Sequence, residues 1–157
     1  MSTEPGPAPS AATRHAVADA VAYLTGHWSI ERTLLDMRTG SAGRFRGTAE
    51  FRPSEEDGSL LHIEEGELLW DGTVSRVGRT LHLSPRPDGT ADVTFADGRP
   101  FHDLDLRTGQ WTTDHPCAED RYEGTFTVAS AREWHLRWRV SGPAKTQLLR
   151  SVYRRRG

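Results

Sequence analysis

From Gly26 onward the chain alternates. Phe45, Gly47, Ala49 and Phe51 interleave with Arg44, Arg46, Thr48, Glu50 and Arg52. A period of two sends successive side chains to opposite faces of a strand, so this segment reads apolar or small inward and charged outward. Trp28, Ile30, Arg32 and Leu34 interleave in the same way with Ser29, Glu31 and Thr33. Gly47 and Ala49 would let a backbone or a ligand come close. Further short strands are expected at Leu60–Glu67, then Leu68–Val77 and Arg79–Ser84 divided by Gly78, then Ala91–Phe95, Phe101–Leu106 and Gln110–His115. Tyr122–Ala129, Glu133–Ser141 and Thr146–Arg155 complete the series. Asp57-Gly58, Asp71-Gly72, Asp88-Gly89 and Asp97-Gly98 punctuate it, and Asp-Gly supplies the positive φ angles of tight hairpin turns. About nine or ten strands joined by successive hairpins predict an all-β antiparallel meander. A meander of that length closes into a barrel because closure removes exposed edges. Trp134, Leu136, Trp138 and Val140 make one apolar stripe of its core.

Ahead of the strands the period changes. Val17, Val21 and Leu24 follow i, i+4, i+7 and predict one short helix over Thr13–Leu24, with Thr13 as N-cap and Gly26 beyond its end. Residues 1–12 are rich in Pro, Ser, Ala and Gly. They lack side chains that could offset the entropy of ordering and read as a disordered tail. The barrel domain is therefore expected to span residues 13–157.

Composition narrows the classes. A chain of 157 residues is long enough for one domain with a real core. Twenty basic residues stand against twenty-two acidic ones, which gives no electrostatic reason to expect a nucleic-acid partner. One cysteine permits no internal disulfide. With neither a leader pattern nor a long apolar run, the expectation is a cytoplasmic protein without a membrane partner, monomeric or a small homo-oligomer.

Gly26-His27-Trp28 opens the first strand directly after the helix. It resembles the Gly-x-Trp signature of calycins, the lipocalin-like barrels. The resemblance implies a helix closing the barrel base, a tryptophan packed there, and an arginine of the last strand lying across its ring. Arg150 is the first choice for that arginine, ahead of Arg154. Three further runs are Phe95-x-Asp97-Gly98-Arg99-x-Phe101-His102, His115-x-Cys117-x-x-Asp120-x-Tyr122 and Gly142-Pro143-x-Lys145. They resemble an uncharacterised family of calycin-like domains over roughly residues 23–155, which implies a barrel and no settled reaction. Some calycin-like barrels hold haem through a histidine, but His135 alternates with Trp134 and Trp138 and would face away. No cofactor is assigned.

Chemistry-bearing residues crowd between Phe95 and Tyr122. His115, Cys117 and Asp120 are the residue types of an activated thiolate: nucleophile, base and an acid that orients the base. The simpler reading makes Cys117 a small buried hydrophobe beside a polar turn. His102, His115, Cys117 and Asp120 include metal-ligand types, but one cysteine without a Cys-x-x-Cys departs from structural zinc spacing, and no metal is assigned. Arg99 either is a solvated turn residue or grips a carboxylate or phosphate at the mouth. Phe101 and His102 would lie on opposite faces. Leu61 and Ile63 are expected to face the core and leave His62 and Glu64 outside. In the alternative the interior is partly polar, and Glu64 pairs there with Arg99 or Lys145. Lys145 stands on a proline turn that could face a ligand. Trp70 and Trp111, beside polar turns, are candidate pocket walls, and Arg154-Arg155-Arg156 reads as a solvated end.

The resulting expectation is an intracellular barrel holding one small, partly apolar, anionic ligand. Arg99, Tyr122, Lys145, Glu64, Trp70 and Trp111 would bind it. The alternative is a cofactor-independent isomerase, cyclase or hydratase. There His115 or His102 would act as acid–base, Asp120 would orient it, and Arg99 or Tyr122 would stabilise an oxyanion.

Overall fold

The computed structural model describes residues 14–55 and 57–157. The tail at 1–12 and the N-cap at Thr13 lie outside them. Among the described residues ten strands follow one short helix, α1 (Ala20–Leu24). They are β1 (Gly26–Asp36), β2 (Ala42–Pro53), β3 (Leu60–Trp70), β4 (Thr73–Pro85), β5 (Ala91–Phe95), β6 (Pro100–Leu104), β7 (Gln110–Cys117), β8 (Asp120–Ser130), β9 (Glu133–Ser141) and β10 (Thr146–Arg155). Every ladder is antiparallel, in the order β6-β5-β4-β3-β2-β1-β10-β9-β8-β7. The sheet curls into a nearly closed barrel, with β6 and β7 meeting along its seam. There the Trp111 indole N–H donates to the Asp103 carbonyl at 2.8 Å, from one edge strand to the other.

Local chemistry accounts for the hairpins. Asp71 and Gly72 take φ of 49° and 76° between paired Trp70 and Thr73, as a two-residue turn matched to strand twist requires. This corrects the expected strand Leu68–Val77. The turn falls inside that range, and β4 then runs unbroken through Gly78 because β3 holds its register on both sides.

The expected helix over Thr13–Leu24 is also corrected. Among its described residues only Ala20–Leu24 is helical, capped by the Asp19 carboxylate, which accepts from the Ala22 N–H. Residues 14–19 form a strap across one end of the barrel. His15 N–H donates to Val128 O, Val17 N–H to Leu106 O and Ala20 N–H to Gly89 O. Gly89 has φ of 91°, and a β-carbon there would sit 1.9 Å from the Ala18 carbonyl oxygen. The periodic valines were a burial signal: Val17 is buried by the strap and not by a helix turn.

Under the strap the core is aromatic. Trp28 and Tyr153 are fully buried. The Trp28 indole donates to Leu24 O at 2.8 Å, and Trp134 stacks on Tyr153 at 3.8 Å. The stripe Trp134, Leu136, Trp138 and Val140 is buried as expected. The arginine across Trp28 is Arg155, with its guanidinium 4.1 Å from the ring centre, and not Arg150 or Arg154. Arg155 stands directly opposite Trp28 in the ladder, while Arg154 is one step off and Arg150 stands opposite Thr33. Directly opposed residues share a face, so both of these point outward and are exposed.

Candidate functional site

The register of β2 sets what β3 sends inside. Ala49 and Phe51 face the core, and their partners are Glu64 and His62. The expected orientation of β3 is therefore reversed: His62 and Glu64 are buried, and Leu61 and Ile63 lie on the outer face. Glu64 in turn stands opposite Arg79 of β4. From the other side β1 and β10 supply Arg32, Ser151 and Tyr153.

These side chains form one network. The Glu64 carboxylate is 2 % exposed. It lies 3.0 Å from Nη2 of Arg32, 2.9 Å from Nε2 of His62 and 3.5 Å from Nε of Arg79, and it accepts from the Tyr153 hydroxyl. Arg32 is pinned twice more, to Ser151 Oγ at 2.6 Å and to the Tyr153 hydroxyl at 2.9 Å. Burial alone would raise the Glu64 pKa; Arg79, His62 and Arg32 outweigh it and hold the carboxyl well below its ordinary range. Burial pushes His62 down despite its bond to Glu64, so the ring stays neutral. Burial and the Glu64 charge both push Tyr153 up, so it remains a donor.

The network divides the interior space. Toward the open end a depression of about 210 Å³ lies over Arg32, Glu64 and Arg79, with Leu34, Phe45, Leu68, Val77 and Leu149 as walls. An adjoining depression of about 260 Å³ shares Leu34, Leu68 and Leu149 with it and adds Trp70. On the strap side a narrow cavity of about 30 Å³ remains among aromatic rings, room for one or two waters. Arg79 lines both the depression and this cavity. The room expected for a ligand is thus at the open end, because the barrel's own rings fill the middle.

His102 also lines the inner cavity. It and Phe101 both point inward, not to opposite faces. Val93 pairs with His102 and Thr94 with Pro100, leaving Phe101 as the extra residue of a bulge. His102 Nδ1 lies 2.7 Å from the Asp103 carbonyl. That contact needs the proton on Nδ1 and leaves the Nε2 lone pair free, though burial lowers this histidine to about 4 and makes it a weak base.

The other predicted residues scatter along the rim. His115 is half-buried on β7, edge-on to Phe101 at 5.2 Å. Asp120 lies 3.4 Å from Lys145, whose ammonium stands 6.0 Å from the Tyr122 ring centre; Asp120 thus pairs with Lys145. Cys117 is exposed at the end of β7, paired with Asp120, and is not the buried hydrophobe of the simpler reading. Arg99 is exposed and bonds Asp97 at 2.7 Å. Trp70 packs over Gly43, where a β-carbon would lie 2.2 Å from its ring. Trp111 ties the seam. Glu64 meets neither Arg99 nor Lys145; its cations are Arg32 and Arg79. Neither arginine was singled out from sequence. The available signal was a charge in the inward phase: Arg32 shares its parity with Trp28, Ile30 and Leu34.

No helix among the described residues is long and apolar enough to cross a membrane. A sequence family described as a family of unknown function (DUF6314) matches residues 24–155. No curated protein matches the sequence. Among solved structures, the S-type phycobiliprotein lyase CPES from Guillardia theta is similar with a TM-score of 0.69 at 10% identity, over 92% of this chain and 95% of that one. A DUF3598-family protein of unknown function from Nostoc punctiforme gives a TM-score of 0.49 at 9% identity, over 91% of this chain and 51% of its own. A de novo designed fluorescence-activating barrel gives 0.48 at 19% identity, over 89% and 100%.

Proposed function

The chain belongs to the DUF6314 family, and for this member we propose that the open-end depression binds a small, partly apolar anion. The observation that carries the reading is a charge imbalance inside an apolar cup. Of the residues lining it, Arg32 and Arg79 are cationic and Glu64 alone is anionic, so one positive charge is left over. His62 contributes none, since burial keeps it neutral. Arg32 is spent on internal partners and its side chain is 12 % exposed, whereas that of Arg79 is 41 % exposed with a single ion pair at 3.5 Å. Arg79 is therefore the group able to meet a carboxylate, sulfonate or phosphate, while leucine, valine and phenylalanine side chains receive an apolar body. The likeness to a phycobiliprotein lyase supports the barrel as a fold, and fold alone does not assign an activity.

Fluorescence titration tests this with two matched probes: 8-anilinonaphthalene-1-sulfonate and its uncharged analogue N-phenyl-1-naphthylamine. The sulfonate should bind wild type more tightly than the amine. Arg79→Gln should weaken the sulfonate about tenfold and leave the amine unchanged, as expected for one lost charge-assisted contact. Equal binding of both probes to both proteins would overturn the proposal.

A further inference from the structure

One row of directly opposed residues crosses the outer wall from β4 to β9. It runs Val74, Leu69, Arg44, Thr33, Arg150 and Arg137. Directly opposed residues share a face, and all six are exposed. The row begins apolar. Val74 is 60 % and Leu69 45 % exposed, and Leu35 and Met37, nearer the mouth, are exposed too. It ends cationic. Arg150 stands opposite Arg137, and Arg44 and Arg150 flank Thr33 from its two sides.

Like charges directly opposed across a ladder are unfavourable, yet Arg44, Arg137 and Arg150 make no ion pair among the described residues. The acid nearest them on this face, Glu31, is committed to Arg46 and Arg154. The chain as a whole carries a net charge of -2, so the cationic stretch is local. The wall is also concave here. A depression of about 490 Å³ lies over Leu35, Ala42 and Leu69, and one of about 330 Å³ over Arg46, Arg150 and Val152; the two meet at Thr33 and Arg44. An exposed apolar patch joined to unpaired cations marks a contact surface. An element that lies in a membrane surface sinks its apolar side chains into lipid, whereas a trough receives side chains from a partner. Asp71 lines the apolar end and would repel an anionic lipid surface.

We propose that this trough docks a segment of a partner protein in which apolar side chains are followed by acidic ones. The apolar side chains fill the depression between Leu35 and Leu69. The carboxylates meet Arg44, Arg150 and Arg137, with the Thr33 hydroxyl as a further donor. The register sets the spacing. Leu69 lies three strand spacings from Arg150, roughly 14 Å, which about four residues of extended chain span. The trough is on the outer wall, and the inference does not depend on the anion proposed for the cup.

The test uses the peptide acetyl-Leu-Leu-Ser-Gly-Ser-Glu-Glu-amide, a second peptide with Gln for both Glu, and a third with Ser for both Leu. Each is titrated into isotope-labelled protein and followed by amide resonances. At low salt the first should bind about fivefold more tightly than either control, and should move the resonances of Thr33, Leu69 and Arg150. Arg137→Gln combined with Arg150→Gln should remove the preference for Glu over Gln and keep that for Leu over Ser. Leu69→Ser should do the reverse. All three residues are exposed, so these variants keep the fold. Arg52→Gln combined with Arg121→Gln makes the same charge change elsewhere and should alter neither preference. Equal affinities for the three peptides, resonance shifts away from the row, or an equal loss in the control pair would overturn the proposal. Co-sedimentation with phosphatidylserine vesicles that Arg137→Gln with Arg150→Gln abolishes would also overturn it, and would assign the row to a lipid surface.

Discussion

Arg155 lies across the indole of Trp28, 4.1 Å from the ring centre, with the two residues directly opposed on neighbouring strands. The same guanidinium donates to Thr25 O at 3.1 Å and to Tyr23 O at 2.5 Å, the carbonyls that end α1. One side chain therefore joins the last strand, the first strand and the helix. Arg155→Met should destabilise the fold by about 2–3 kcal/mol, combining a cation–π contact with charged hydrogen bonds. Arg150→Met, on the exposed outer face, should change stability by less than about 0.5 kcal/mol. Urea denaturation of the two variants checks the contrast, and equal effects would contradict this role for Arg155.

The buried network predicts a second asymmetry. Glu64→Leu strands Arg32 without its carboxylate and should cost about 3–5 kcal/mol. Tyr153→Phe removes one donor and should cost about 1 kcal/mol. Because the loss in Glu64→Leu arises chiefly from the orphaned cation, adding Arg32→Met should restore a measurable part of it. A double variant no more stable than Glu64→Leu alone would argue that the pair stabilises the fold by direct attraction.

His102 makes stability depend on pH. Its ordinary value of 6.5 falls to about 4 in the fold, through burial. Between those values the unfolded chain binds the proton and the folded chain does not, so stability is full above pH 6.5 and declines as pH falls toward 4. The gap corresponds to roughly 3 kcal/mol at its limit. His102→Gln should flatten the decline between pH 6.5 and 4 in thermal melts, leaving the part due to His62, which shifts in the same direction. The depressed Glu64 acts lower: its contribution is present above 4.5 and is lost only as pH drops further.

Gly66 tests the packing of β2 on β3. It pairs with Gly47, and a β-carbon there would lie 2.3 Å from the Arg46 carbonyl oxygen and 2.7 Å from the Phe45 ring. Gly66→Ala should therefore destabilise by about 2–3 kcal/mol through overpacking. Chemical denaturation reads it, and a neutral effect would mean that Phe45 repacks freely. The close approach expected at Gly47 is made by backbone: a β-carbon there would lie 2.2 Å from the Glu65 carbonyl oxygen, with the Phe45 ring next at 2.8 Å.

Strand number, hairpin positions and the apolar stripe of β9 could be read from the chain because each depends on neighbours within a few residues. A period of two needs only the residue's own strand, and Asp71-Gly72 needs only its own φ angles. The phase of β3 could not be read this way. Leu61-His62-Ile63-Glu64 offers an apolar and a polar face, and local preference selects the apolar one for the core. The ladder to Ala49 and Phe51 selects the other, since direct opposition, and not hydropathy, decides which side chains share a face. For the same reason the residue over Trp28 is Arg155 and not an arginine one or five positions earlier. The site lay further beyond reach. Arg32, Glu64, Arg79 and Tyr153 come from four strands spread over most of the chain. A buried carboxylate is tolerable only where tertiary structure delivers cations and donors to it together. The sequence by itself determined a meander of short strands that must close. Closure alone decided that its interior would hold a surplus positive charge.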